Sequence, residues 1–194
     1  MKKSLIVLAL SGLITLPMHA NAQSKTEATT PPTIEEARSI VQQFGGELKP
    51  ALQKSMKEGG PVGSIDFCHT KAPQIAHDLS EKTGWNVNRV SLKPRGATAT
   101  ADQWETAVLE KFNEQLAANT PIQSMEFSEV VTVDGAPTFR YMRAVGTEEV
   151  CLKCHGTDVA APVGEALHKL YPNDTATGYS KGQIRGAFSF SKAI

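Results

Sequence analysis

Apolar residues at Ile34, Ala37, Val41, Phe44, Leu48, Leu52 and Met56 recur at the spacing of a helix with one buried face. Thr33 and Glu36 precede that stripe as a capping box, in which each side chain satisfies a backbone donor of the other. The pattern predicts a long first helix, kinked at Pro50. After the break GGPVG, a second helix is expected from Ser64, with Ile65, Cys68, Ala72, Ile75 and Leu79 on one face and a kink or restart at Pro73. A third, DQWETAVLEKFNEQL, carries Trp104, Val108, Leu109, Phe112 and Leu116 on its core face behind an Asp102 that can cap it.

The period then changes. WNVNRVSL, 85–92, has strand-forming residues with imperfect alternation. In 123–145 two β-rich runs flank Asp134-Gly135, a hairpin signal, and Ala136-Pro137 suggests a loop longer than two residues. VGEALHKLY reads as a short helix, YPNDTATGYSKG as loop and QIRGAFSFS as a last strand. Helices with an antiparallel sheet make the chain α+β.

The 194 residues open with two lysines, an apolar run from Leu5 to about Leu16 and Ala20-Asn21-Ala22, the layout of a cleaved signal peptide at 1–22. Residues 23–32 read as a flexible tether and 33–194 as one domain. The expectation is an exported, periplasmic protein with no membrane span after cleavage. Without the leader, Lys+Arg number 18 against 20 Asp+Glu, a balance that calls for neither nucleic acid nor an anionic membrane.

Residues 150–156 read VCLKCHG. C-x-x-C-H in an exported chain is the attachment pattern of c-type haem. Two thiols on one turn, Cys151 and Cys154, reach the two porphyrin vinyl groups, and His155 is carried onto the iron as proximal ligand. A disulfide or redox pair is one alternative. A zinc site recruiting Cys68 is another.

Cys68 is then a lone thiol in an oxidising compartment. It is either a small buried apolar residue or the distal iron ligand; the residues alone leave both readings open. His69, His77, His168, Met56, Met125 and Met142 are the other distal candidates. No methionine follows the motif, which disfavours the small electron-carrier cytochromes.

GSIDFCHTKAPQIA, TGWNVNRVSLKPR with DQWE, FRYMRAV ahead of CLKCHG, and YPNDTATGYSKGQIRGAFSFS together resemble a family of periplasmic haem c proteins of PAS-like fold, long catalogued as a domain of unknown function. The likeness runs in order from about Thr33 to Ser191. It implies a PAS-like antiparallel sheet flanked by helices and one covalent haem c held between His155 and Cys68. The chain departs from the pattern at Gly96-Ala97-Thr98-Ala99-Thr100, where an Asn-Pro type turn is expected.

His/Cys ligation implies a low potential, because a thiolate stabilises ferric iron. The expected function is redox or gas sensing, or electron transfer, with no enzymatic activity. Cys68 release on reduction would open a site for a small diatomic ligand. Partners would be a periplasmic redox or signalling protein, with a homodimer through the first helix a further option. The alternatives are a helical-bundle c-type cytochrome and a sulfur-oxidising haem enzyme. Lys93, Arg95, Arg140, Tyr141 and Arg185 are candidates to meet the haem propionates, with Arg95 and Arg185 first because they lie in the family-like segments.

Overall fold

The structure, a computed structural model, describes residues 31–194. The expected signal peptide and residues 23–30 of the tether lie outside the described residues.

The first helix, α1 (Ile34–Thr83), opens on the capping box: the Glu36 N–H donates to Thr33 Oγ1 at 3.2 Å, and the Thr33 N–H to Glu36 Oε2 at 3.0 Å. Its one non-helical residue is Gly60, at φ 63° and ψ −168°, a conformation that suits glycine. Pro61 then starts the second arm with φ already set. The helix passes through Pro50 and Pro73, the expected kink points, without leaving helical geometry, and breaks within the GGPVG segment as expected, at Gly60. Glycine's lack of Cβ permits a reversal that proline alone does not. The arms, 34–59 and 61–83, fold back on each other: Lys82 Nζ donates to Gln43 Oε1 at 2.9 Å, and Ala37, Ile40 and Phe44 share a core with Ile75 and Leu79.

Four antiparallel strands follow, β1 (Asn86–Val90), β2 (Glu126–Val133), β3 (Ala136–Gly146) and β4 (Ile184–Ala193), in spatial order β1-β4-β3-β2. Val133 pairs with Ala136, so Asp134 and Gly135, at φ 49° and 82°, form the whole loop. This corrects the longer loop expected. Both φ values are positive, as in the two-residue hairpin turn whose twist matches the strands; Pro137 is accommodated opposite Thr132.

Period-two alternation gives the sheet two covered faces. Val87, Tyr141 and Phe190 turn toward α1 with Trp85, while Val90, Met142, Ala144 and Ala187 turn toward α2 (Gln103–Ala117), with its Val108, Leu109 and Phe112. Asp102 and Glu105 cap α2 reciprocally. A third, smaller cluster joins Ile65 of the second arm to Val163 and Leu167. The short helix α3 (Leu152–His155) carries the C-x-x-C-H motif, and α4 (Ala161–Leu170) packs behind it. The fold is α+β, and the open four-stranded sheet excludes the helical-bundle alternative.

Candidate functional site

Cys151, Cys154 and His155 lie on one continuous turn, a 3-10 turn at Glu149–Cys151 running into α3. All three cysteines of the chain are free thiols, so the pair forms no disulfide. Among the described residues no three His, Cys, Asp or Glu side chains converge on a metal-ion position, as the zinc alternative required.

The backbone of the motif is held from a distance. The Tyr179 N–H donates to the His155 carbonyl and the Gly178 N–H to the Gly156 carbonyl, both at 2.9 Å, so 155–156 and 178–179 form a short parallel bridge. Arg95 braces the same turn. Its Nε donates to Asp174 at 3.0 Å, and its Nη2 donates to the Cys154 carbonyl. Asp174 also accepts from the Ala176 N–H at 2.7 Å, and Thr175 bonds the Pro94 carbonyl through both N–H and hydroxyl. The loop after β1 and the YPNDTATGY segment are thus zipped around the motif. Arg95, one of the two propionate candidates ranked first, directs its guanidinium inward to this brace.

His155 Nδ1 lies 2.7 Å from the Ala176 carbonyl and 3.1 Å from Arg185 Nε. One ring nitrogen cannot both donate and accept. The shorter contact is to a pure acceptor, so Nδ1 carries the proton and Nε2 keeps its lone pair for a metal. Burial, then the positive charges of Arg185 and Arg95, push the His155 pKa down to about 2, which keeps the ring neutral, the ligating form.

Arg185 reaches the site by a bulge. Val145 pairs with Gly186 and Gly146 with Ile184, leaving Arg185 as the extra residue of β4. Its Nη1 donates to Ser91 Oγ at 2.9 Å, and its guanidinium lies 5.2 Å from the centre of the Tyr179 ring.

Cys68 lies on the second arm one turn beyond Ile65, the residue that packs in the cluster to which Cys154 adds. Burial pushes its thiol pKa up, and the charges nearest it are those of Cys154, Arg89 and Arg95. Arg89 and Arg95 also act on His155. Cys68 and His155, on different elements, thus share Arg89 and Arg95 as neighbouring charges, and the region these four residues border is the candidate crevice.

The other candidates disperse. His69 sits edge-on to Tyr171, with ring centres 5.1 Å apart, and His77 is exposed. His168 lies in the last turn of α4. Met125 and Met142 are buried against α2. Arg140 pairs with Asp102 at 2.8 Å and Glu105 at 3.2 Å on the α2 side, while the Tyr141 hydroxyl donates to Glu126 at 2.7 Å. Sequence reasoning missed Arg89, which lines the crevice with its guanidinium 5.3 Å from the centre of the Phe44 ring. Its place in β1, two residues after Val87, was the available signal.

The family model for Tll0287-like proteins matches residues 18–192. The chain belongs to the Tll0287-like family. Among solved structures, it is similar to the crystal structure of the cyanobacterial haem protein Tll0287, at 18% identity and a TM-score of 0.65, over 84% of this chain and 97% of that one. That likeness confirms the Tll0287 fold, with its long helix and antiparallel sheet, and carries no residue-level assignment at this identity. No curated protein matches the chain.

Proposed function

We propose that the protein is an exported haem c protein, with one haem linked to Cys151 and Cys154, His155 as proximal ligand and Cys68 as distal ligand. The observation that supports it best is the His155 ring, neutral, tied through Nδ1 to the Ala176 carbonyl and leaving Nε2 for iron, directly after two free thiols on one turn. The solved relative is a haem protein, which agrees with this reading.

Bound there, the haem supplies a one-electron centre of low potential, given a thiolate ligand. The chain's own residues do the rest. Ala176 fixes the histidine tautomer, Arg95 and Asp174 hold the attachment turn, and Cys68 places sulfur at the crevice from a separate helix. The resulting role is redox or gas sensing or electron transfer with a periplasmic partner, rather than catalysis. Among the described residues no helix is long and apolar enough to cross a membrane.

The deciding experiment is the low-temperature electron paramagnetic resonance spectrum of the ferric holoprotein beside Cys68→Ser. A low-spin thiolate-type signal lost in the variant is the expected result. A spectrum unchanged by the substitution would remove Cys68 from the iron. Slow carbon monoxide binding to the ferrous wild-type protein, set against fast binding to Cys68→Ser, would report whether the sulfur gates a diatomic ligand. Thiosulfate turnover would favour the sulfur-oxidising enzyme instead.

A further inference from the structure

The chain has six arginines, all of them among the described residues. Four pair with carboxylates: Arg38 with Glu35 and Glu126, Arg95 with Asp174, Arg140 with Asp102 and Glu105, and Arg143 with Glu126. The remaining two, Arg89 and Arg185, have no carboxylate within 4 Å among the described residues, and they lie on paired strands, Arg185 bonding Ser91 two residues beyond Arg89.

Their proximity works against the fold. Burial, then the charge of Arg185, push the Arg89 pKa below the ordinary arginine range, yet that range is so high that it stays a cation near neutrality. Arg89 is exposed to solvent, with its guanidinium resting over the Phe44 ring. Arg185 Nε points at a ring nitrogen that already carries a proton, so that donor has no acceptor in the site. Two neighbouring guanidiniums without a counter-ion repel each other, and an anion between them would relieve that repulsion.

Both are also held in place. Arg89 lies over Phe44, and Arg185 is fixed by Ser91 Oγ, the Lys93 carbonyl and the Tyr179 ring. A planar guanidinium matches a carboxylate through two parallel N–H bonds. We propose that Arg89 and Arg185 form a two-guanidinium clamp for a pair of carboxylates, the propionates of the haem, and that Arg95 is a positioning residue that acts through the attachment turn. This rests on the haem reading above. Two guanidiniums against two carboxylates leave the crevice neutral. A free oxyanion such as phosphate would offer the same chemistry, and the test separates the two sources.

The test uses the full chain carrying Cys151→Ser and Cys154→Ser, so that porphyrin binds reversibly. Affinities for haemin and for haemin dimethyl ester are compared, with inorganic phosphate as competitor. The clamp predicts that haemin binds about tenfold or more tighter than its ester. Arg89→Gln and Arg185→Gln should each collapse that ratio severalfold, and Arg89→Lys should restore part of it. Arg95→Gln should weaken both porphyrins and leave the ratio intact. A ratio unmoved by both glutamine variants overturns the clamp. So does phosphate binding equally well to empty and haemin-loaded chain while depending on both arginines, which would assign the pair to a free oxyanion. Failure of the parent chain to bind either porphyrin, with phosphate still bound through the two arginines, would defeat the haem reading and keep only an anion site. Circular dichroism melts of each variant show whether a lost ratio comes from a folded chain.

Discussion

The two sides of the sheet use arginine in opposite ways. On the α2 side, Arg140 is 12% exposed and lies between Asp102 and Glu105, with its guanidinium 4.2 Å from the centre of the Trp104 ring and Glu105 accepting from the buried Ser189 hydroxyl. There the guanidinium meets two carboxylates through Nη2, and Nε alone is buried without an acceptor. On the α1 side, Arg89 and Arg185 stand beside free thiols and a neutral histidine with no carboxylate in reach. The paired set stabilises the fold; the unpaired set is costly unless something binds. Two like charges set side by side without a counter-ion are a pointer to function, because stability alone would select against them.

This contrast is open to mutation. Arg140→Ala should be the most damaging, because it leaves Glu105 buried without its cation; a loss of about 3–5 kcal/mol in a denaturant titration is expected. A loss below about 1 kcal/mol would mean the α2 network is not the paired one described. Next comes Gly186→Ala. A Cβ there would lie 2.3 Å from the Val90 carbonyl oxygen and 3.2 Å from Ser91 Cβ, so β1 must shift, at about 1–3 kcal/mol. Because Ser91 holds Arg185, that variant should also disturb the ratio of haemin to ester binding.

The pH response sharpens the comparison further. The hydrogen bond from Arg38 holds the Glu126 carboxyl below the usual carboxylate range, helped by Tyr141. Its folded value is depressed, so its contribution is present above the unfolded carboxylate pKa and is lost as pH falls through the folded one. Glu126→Gln should flatten the acid limb of stability against pH while leaving the neutral region little changed. The smallest effect belongs to Arg89→Gln. In the chain expressed without cofactor maturation it should change stability by no more than about 0.5 kcal/mol, or raise it, because a repulsion is removed. A loss above about 2 kcal/mol would make Arg89 a structural residue and end the contrast.

Much of this was legible in the sequence because it is local. The Thr33–Glu36 box, the Asp134-Gly135 hairpin, the helical stripe of α2 and the C-x-x-C-H turn each follow from residues a few positions apart. Cys68 stood out by being unpaired. What escaped depends on distant juxtaposition. Arg95 read as a propionate contact until Asp174, far along the chain, was brought beside it. Arg89 looked like an ordinary strand residue, since alternation reports which face a side chain takes and not whether an anion waits there. The bulge that turns Arg185 into the crevice comes from a register shift between β3 and β4, which neither strand encodes alone. The break at GGPVG was legible from its glycines, whereas Pro50 and Pro73 were read as kinks that the surrounding packing does not allow.

Gly60 also gives the molecule leverage. Cys68 lies eight positions beyond it, about 12 Å along a helix axis, so a bend of about ten degrees at that one residue carries the sulfur by about 2 Å, more than a coordinate bond can stretch. The far end of the arm is anchored by Ile75 and Leu79 in the core. Pro73, whose missing N–H leaves the ladder bond to the His69 carbonyl unmade, weakens the helix just before that anchor. The stretch 61–72 thus lies between a glycine break and a proline, with the Cys68 thiol near its middle.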